Sequence, residues 1–334
     1  MKNVINIKNL SMIYEYYEKE KGIKGSLKNF FLRKKLHKTA LNNISLDIEE
    51  GSITGYVGLN GAGKTTTMKI LSGILNPTKG SVSVLGYNPY DKKSEFLKQI
   101  GIVMGNKSQL MWDLPAIDSI ELNKSIYEVS DEDYDALFAE MVETLHVSEL
   151  LHIQVRRLSL GERMKMELIA SLIHRPKVVF LDEPTIGLDI ISQNNIRDFL
   201  KLYNKKYGAT IIITSHNFDD ISEVCNKLII IEHGNLVFNG FLNEFYEKYR
   251  TDKIFSIRMN HSDINFLSLL KKKLGNDCIT YDENNNDYKI LIENESLLSV
   301  IKVLMEDYMN EIQDINITNR ELKDIVCDLL EENA

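Results

Sequence analysis

The stretch Gly58-Leu59-Asn60-Gly61-Ala62-Gly63-Lys64-Thr65 decides the reading of this chain. It fits G-x-x-x-x-G-K-[ST], the spacing of a phosphate-binding loop. Its flanks fit as well. Ser52 to Val57 (SITGYV) reads as a short buried strand, and Thr65 to Leu75 as a helix with Met68, Ile70, Leu71 and Ile74 apolar. A strand, a glycine loop and a helix start form an anion site, because backbone N–H groups converge there and the helix dipole favours negative charge. Gly58, Gly61 and Gly63 let the backbone wrap close to phosphates without Cβ clashes. Lys64 can reach β- and γ-phosphates, and the Thr65 hydroxyl can ligate Mg²⁺. The expected ligands are ATP and Mg²⁺, with Asn60 and Thr66 completing the contacts of this segment.

Composition narrows the rest. A chain of 334 residues with 43% hydrophobic content is expected to hold two domains or one large one. A net charge of −8 argues against wholesale nucleic-acid binding. No apolar run approaches the roughly 20 residues that span a bilayer, and the start MKNVINIKNL lacks the apolar core of a signal peptide. Cys225, Cys278 and Cys327 form no metal or redox pattern, which fits a cytosolic protein. Charge is uneven: residues 18–38 carry eight Lys/Arg and two Glu, a local +6 that leaves −14 for the remainder.

A phosphate loop that manages Mg²⁺ and water needs a further carboxylate. The apolar run Val178-Val179-Phe180-Leu181 ends in Asp182-Glu183. Asp182 is expected to hold Mg²⁺ through its water shell, and Glu183 to polarise an attacking water; positioned general bases contribute roughly 10²–10⁴-fold in rate. Pro184-Thr185-Ile186-Gly187-Leu188-Asp189 follows at once. Ser159 stands 23 residues before Asp182, inside Arg157-Leu158-Ser159-Leu160-Gly161-Glu162-Arg163, with a helix expected over Met164–His174 and Pro176 as its stop. Ser159 is a good N-cap, and Glu162 three residues on completes a capping box.

This ordered set resembles the nucleotide-binding domains of ABC ATPases: P-loop, Gln loop, signature (usually LSGGQ), Asp-Glu strand, D-loop and switch histidine. The resemblance covers roughly Val4 to Gly240. It implies an α/β fold, a P-loop NTPase of the ABC type, with a helical subdomain at about 106–175. It implies that Ser159, Gly161 and Glu162 contact nucleotide, with Leu160 and Glu162 standing where the common signature has glycine and glutamine. It implies that His216, 33 residues after Glu183 and behind the strand Thr210–Thr214, contacts the γ-phosphate and orients Glu183. Asp189 fits the D-loop, and Tyr14 the aromatic residue stacked on adenine, with Tyr16 and Tyr17 close rivals. The Gln loop should follow the strand Ile100–Met104. The segment from Gly105 to Pro115 is one residue longer than the usual spacing, so Gln109 is chosen for the catalytic and Mg²⁺ contact, with Asn106 second. Leu110–Leu114 (LMWDL), with the only Trp, is expected on the face that meets a membrane partner.

One P-loop and one signature per chain imply a functional pair, formed with a second copy or a related ATPase chain. The want of a spanning helix implies a separate transmembrane permease and a cytoplasmic location, peripheral on the inner face of the cell membrane. The basic insertion 18–38 holds Leu27, Phe30 and Phe31 at i, i+3 and i+4 after Ser26, the stripe of a basic amphipathic helix that touches a membrane surface. Residues 241–334 read as a small α+β accessory or regulatory domain, appended to an ATPase domain at 1–240. Its expected elements are helices near 241–248, 264–274, 297–309 and 319–332, and strands near 253–259, 278–281, 288–292 and 314–317. The run Asp282–Asp287 (DENNND) reads as a solvated hairpin loop.

The insertion, "NKSQLMWDLP" and "LSLGERMK" together resemble bacterial exporter ATPases that serve separate permeases, which implies export of a drug, natural product or lipid. Import is the alternative direction. Soluble ABC ATPases of translation carry two such domains, and chromosome-maintenance relatives a long coiled coil; here Lys64 to Ser159 spans 95 positions without sustained heptads.

Overall fold

The computed structural model describes residues 2–17, 35–105, 107–249, 252–260, 268, 279–282, 287–293, 298, 301–302 and 308–332. Most of the basic insertion lies outside them, with its expected helix, as do Asn106, most of the helices expected near 264–274 and 297–309, and the centre of the 282–287 loop; Lys35–Lys38 fall in a strand. The chain divides into two compact units, Met1–Leu242 and Asn243–Ala334.

The first unit begins with two long antiparallel strands, β1 (Asn3–Tyr17) and β2 (Lys35–Glu49), joined by β4 (Lys79–Val84) in a three-stranded sheet ordered β2-β1-β4. The second sheet has six strands. Its members are β3 (Ile53–Val57), β5 (Ile100–Met104), β6 (Val178–Asp182), β7 (Thr210–Thr214), β8 (Lys227–Glu232) and β9 (Asn235–Phe241), ordered β5-β6-β7-β3-β8-β9. All neighbours in it run parallel except β8 and β9. ITGYV, VVFLD and TIIIT are buried along their whole length. Parallel strands covered on both faces need such continuous apolar runs.

Helix α1 (Lys64–Leu71) follows β3, and its core joins the two sheets: Ile5, Ile7 and Leu41 of one sheet meet Met68 and Leu71 of the helix and Tyr56, Phe180 and Ile212 of the other. Tyr56 is 1% exposed, and its hydroxyl is satisfied by Thr67 Oγ1 at 3.1 Å. Gly73, at φ +77°, stops α1 near Leu71, four residues short of the expected Leu75, because a left-handed residue after the last turn closes a helix. After α2 (Ser94–Leu97) come three longer helices, α3 (Ala116–Ile126), α4 (Asp131–Thr144) and α5 (Leu160–Leu172). Ser130 caps α4, and the Ser159–Glu162 capping box starts α5 four residues ahead of the expected Met164. Helix α6 (Ile190–Tyr207) starts at Asp189, whose side chain accepts from Ser192 N, and ends at left-handed Gly208. A short α7 (Phe218–Val224) follows β7.

The second unit, with α8 (Leu242–Tyr249) at its start, is a four-stranded antiparallel sheet of β10 (Asp252–Met259), β11 (Ile279–Asp282), β12 (Asp287–Glu293) and β13 (Ile312–Asn319), ordered β11-β12-β10-β13, and ends in α9 (Leu322–Glu332). Phe255, Ile257 and Met259 alternate along β10 and pack with Tyr288, Ile290 and Ile292 of β12, the period of a sheet with one buried face. Among the described residues, no helix is long and apolar enough to cross a membrane.

Candidate active site

The sheet order brings the carboxyl ends of β3, β6 and β7 side by side, which is where open α/β sheets bind ligands. Each end carries one element of the expected chemistry. The loop after β3 holds Gly58 to Lys64, and its left-handed glycines at φ +83° (Gly61) and +111° (Gly63) turn the chain into α1. A methyl group on Gly63 would meet the Ala40 carbonyl oxygen at 2.5 Å, and one on Gly58 the Ile231 carbonyl oxygen at 2.2 Å. The glycines at both positions thus serve packing against neighbouring strands. Lys64 is buried and donates to Gly58 O at 2.7 Å and Leu59 O at 3.3 Å. Burial pulls its ammonium below the ordinary lysine range, opposed by the nearby charges of Glu183 and Asp182.

Asp182 ends β6. Its Oδ1 accepts from the hydroxyls of Thr214 at 2.7 Å and Thr65 at 3.3 Å, so one carboxylate ties the P-loop helix to the end of β7. Glu183 then turns sharply: φ is +56°, a left-handed conformation uncommon for a non-glycine residue. Its N–H is held by Thr214 O at 3.0 Å and Thr214 Oγ1 at 3.1 Å. That turn sends the carboxylate to His216, whose Nε2 lies 2.8 Å from Glu183 Oε1.

A cavity of about 220 Å³ has Tyr14, Asn60, Gly61, Gly63, Lys64, Thr65, Thr66, Glu183 and His216 in its wall, with Gly58 and Asp182 outside it. Tyr14 joins it through its hydroxyl, 3.1 Å from Thr66 Oγ1. Tyr16 and Tyr17 are exposed and absent from the wall. Lys38, also in the wall, went unnoticed in the sequence, where it counts only as one charge of the basic insertion. The signal is the β1–β2 pairing, which sets Lys38 directly across from Tyr14.

Ser159, Gly161, Glu162 and Asp189 lie apart from this cavity. Ser159 N donates to Glu162 Oε2 at 2.8 Å, and Glu162 N to Ser159 Oγ at 3.3 Å. Gly161 faces α6: a methyl group there would meet Ser192 Oγ at 2.4 Å. Ser192 is in turn bound through both N and Oγ to Asp189, at 2.9 and 2.7 Å. The signature and the D-loop are therefore neighbours, and Leu160, the unusual signature residue, lies over Gly187.

Gln109 is outside the cavity wall too. Its side-chain amide is 3.5 Å from the carbonyls of Ile102 and Glu167, and its backbone N–H donates to the Glu167 carboxylate at 3.1 Å. Ser108 donates to the same carboxylate. Glu167, 4% exposed on α5, thus fastens this segment from below, a contact no local pattern announces. Burial raises its carboxyl above the ordinary range, against the hydrogen bonds from Ser108 and the backbone. Of Leu110–Leu114, Leu110 is buried, whereas Trp112 and Leu114 are exposed and Trp112 has the Arg163 guanidinium 5.3 Å above its ring.

The family model described as "ABC transporter" matches residues 41–186. The chain is 30% identical over 230 residues to the ABC transporter ATP-binding protein NatA of Bacillus subtilis, covering 69% of this chain and 93% of that protein. It belongs to the ABC transporter ATP-binding family. This ABC ATPase is also 30% identical over 219 residues to the energy-coupling factor transporter ATP-binding protein EcfA2 of Clostridium perfringens, over 64% of this chain and 77% of that one. A solved ATP-binding subunit of an ABC transporter superposes with a TM-score of 0.61 at 20% identity, over 74% of this chain and 93% of that chain. A dimeric ATP-binding cassette in a post-hydrolysis state with ADP and Pi superposes at 0.58 and 22% identity, over 71% and 98%. The fold is that of ABC ATPase subunits, and the reaction of the family is ATP hydrolysis.

Proposed function

We propose that this ABC ATPase binds ATP between two copies, or between itself and a related chain, and that closure and reopening of the pair drive a separate transmembrane permease. The observation that carries the reading is the Glu183–His216 contact of 2.8 Å in the wall of the Lys64 cavity. The P-loop residues Gly58, Asn60, Gly61, Gly63, Lys64, Thr65 and Thr66 hold the phosphates, and Tyr14 packs at the adenine side. Glu183 accepts a proton from the attacking water. His216 keeps the carboxylate aimed and reaches the γ-phosphate. Ser159, Gly161, Glu162 and Asp189 act on the nucleotide held by the partner chain.

Thr65 Oγ1 and the Asp182 carboxylate, 3.3 Å apart, offer the hard oxygen ligands that Mg²⁺ takes, and Gln109 would join them once its segment moves. When bound, Mg²⁺ neutralises charge on the β- and γ-phosphates.

Resemblance of "NKSQLMWDLP" and "LSLGERMK" to exporter ATPases supports export of a drug, natural product or lipid. The exposed Trp112–Leu114 stretch is the proposed contact with the permease, which makes the protein peripheral on the inner membrane face, aided by the basic segment 18–38. Residues 241–334 form an accessory or regulatory domain. The test is ATPase activity of wild type against Glu183→Gln, with oligomeric state followed in ATP. Wild type should turn over, and Glu183→Gln should lose roughly 10²-fold or more in rate and accumulate as an ATP-bound dimer. Hydrolysis undiminished in Glu183→Gln would overturn the assignment.

A further inference from the structure

Behind Glu183 and His216 lies a buried carboxylate that the chemistry above does not use. Asp220, on α7, is 0% exposed. Its Oδ1 accepts from Arg197 Nε at 2.7 Å, and its Oδ2 accepts from the Ser215 hydroxyl at 2.6 Å and from the Thr185 hydroxyl. These three donors stand on three parts of the site. Thr185 is two residues past Glu183, Ser215 is the residue before His216, and Arg197 lies on α6, the helix capped by Asp189. Arg197 is itself 5% exposed and is steadied by Asn194 Oδ1 at 3.2 Å and Glu223 Oε1 at 3.3 Å. Asn217, just past His216, adds a second strut to α6 through Gln193 Oε1 at 3.3 Å.

A carboxylate withdrawn from water is held firmly by its donors, because losing one leaves charge unsatisfied. The β6–β7 pairing ends at Asp182 and Thr214. Past that point the bonds from Glu183 N–H to Thr214 are the last that join the two strand ends directly, and the left-handed turn at Glu183 takes the rest of its loop out of the sheet. The Thr185 and Ser215 hydroxyls on one Asp220 oxygen carry that tie onward into the two loops. We propose that Asp220 is the positioning residue of hydrolysis in this protein. It joins the loop after Glu183 to the loop carrying His216 and ties both to the helix behind the D-loop. The inference rests on reading Glu183 and His216 as the hydrolytic pair.

The test uses the full-length protein and removes one hydroxyl at a time, as Thr185→Val and Ser215→Ala, with kcat, ATP affinity by calorimetry and melting temperature measured together. Each variant should lose about tenfold or more in kcat, since small misplacements of catalytic groups cost that much, while ATP affinity stays within about twofold of wild type. The double variant should be about as slow as the slower single, because either loss already frees one loop from the other. Thr185→Ser, which keeps the hydroxyl, should restore kcat. The proposal is overturned if kcat per folded molecule is unchanged while melting temperature falls, or if the two losses multiply as independent effects. Asp220→Asn is the complementary variant; should it fail to fold, the hydroxyl variants still decide, since they leave the Asp220–Arg197 pair in place. Glu183→Gln is run in parallel. Full hydrolysis in that variant would remove the catalytic reading, whereas the hydroxyl variants report on the anchor.

Discussion

Two helix N-termini in the ATPase unit, both proposed to meet phosphate, are finished in opposite ways. α1 begins at left-handed Gly63 with no side-chain cap. α5 begins at Ser159 with a complete capping box. The first is ringed by Lys64, Thr65, Glu183 and His216 of its own chain; the second stands outside that cavity, packed on α6. A helix start left open by a glycine offers its orphan N–H groups to an anion at once. A start closed by its own serine and glutamate is first a structural joint, and in the proposed function it meets the nucleotide held by the partner chain. The difference between them is the one a two-chain clamp calls for.

The comparison breaks most easily at Gly63. Gly63→Ala places a methyl group 2.5 Å from Ala40 O and 2.6 Å from Leu41 Cδ2 at φ +111°. It should cost roughly 3 kcal/mol or more, read as lost ATP binding in calorimetry or as a failed fold in circular dichroism. Gly61→Ala, with nothing within 4 Å, should cost about 1 kcal/mol from its positive φ alone. Equal losses at the two sites would show that backbone conformation, not contact, sets the requirement.

Acid should act on the other side. His174, just past α5, stacks on Tyr127 at 3.7 Å, and its Nε2 meets Ile100 O at 3.0 Å. Burial pulls its imidazole from 6.5 down to about 4, against the Ile100 contact. The folded protein thus refuses a proton that the unfolded chain takes. Stability should be full above about pH 6.5 and fall progressively toward pH 4, by roughly 3 kcal/mol, at about 1.4 kcal/mol per pH unit. Chemical denaturation across that range should show the slope, and His174→Gln should flatten it.

Gly161→Ala tests the joint itself. Its methyl group would press Ser192 Oγ at 2.4 Å and shift α5 from α6. Turnover should fall by about tenfold while ATP affinity of the single chain is kept. A matching loss of affinity would mean that the signature already serves its own nucleotide. Ser159→Ala should cost about 1 kcal/mol of stability from the lost cap, seen as a modest drop in melting temperature of the single chain.

What the sequence disclosed follows from locality. The P-loop, the Asp182-Glu183 strand end and the capping box are each written within eight residues, and apolar runs mark the buried parallel strands without ambiguity. Helix limits were less legible: Gly73 stops α1 early, and the Ser159 box starts α5 early. The position of Gln109 depends on Glu167, 58 residues away, and the place of Lys38 in the cavity wall on a strand partner across the insertion. The Asp220 anchor was invisible for the same reason, since Thr185, Arg197, Ser215 and Asp220 acquire a common purpose only when two loops and two helices converge.

Glu183 carries a last consequence. At φ +56° it occupies a conformation that glycine adopts freely and glutamate at a cost of about 1 kcal/mol. The residue the backbone prefers is therefore one without a carboxylate. A laboratory selection for heat resistance alone would be drawn toward glycine at this position and, on the proposed role of Glu183, would return a sturdier protein that no longer hydrolyses ATP. Durability and turnover pull in opposite directions at a single peptide unit, and any attempt to harden this enzyme has to screen both together.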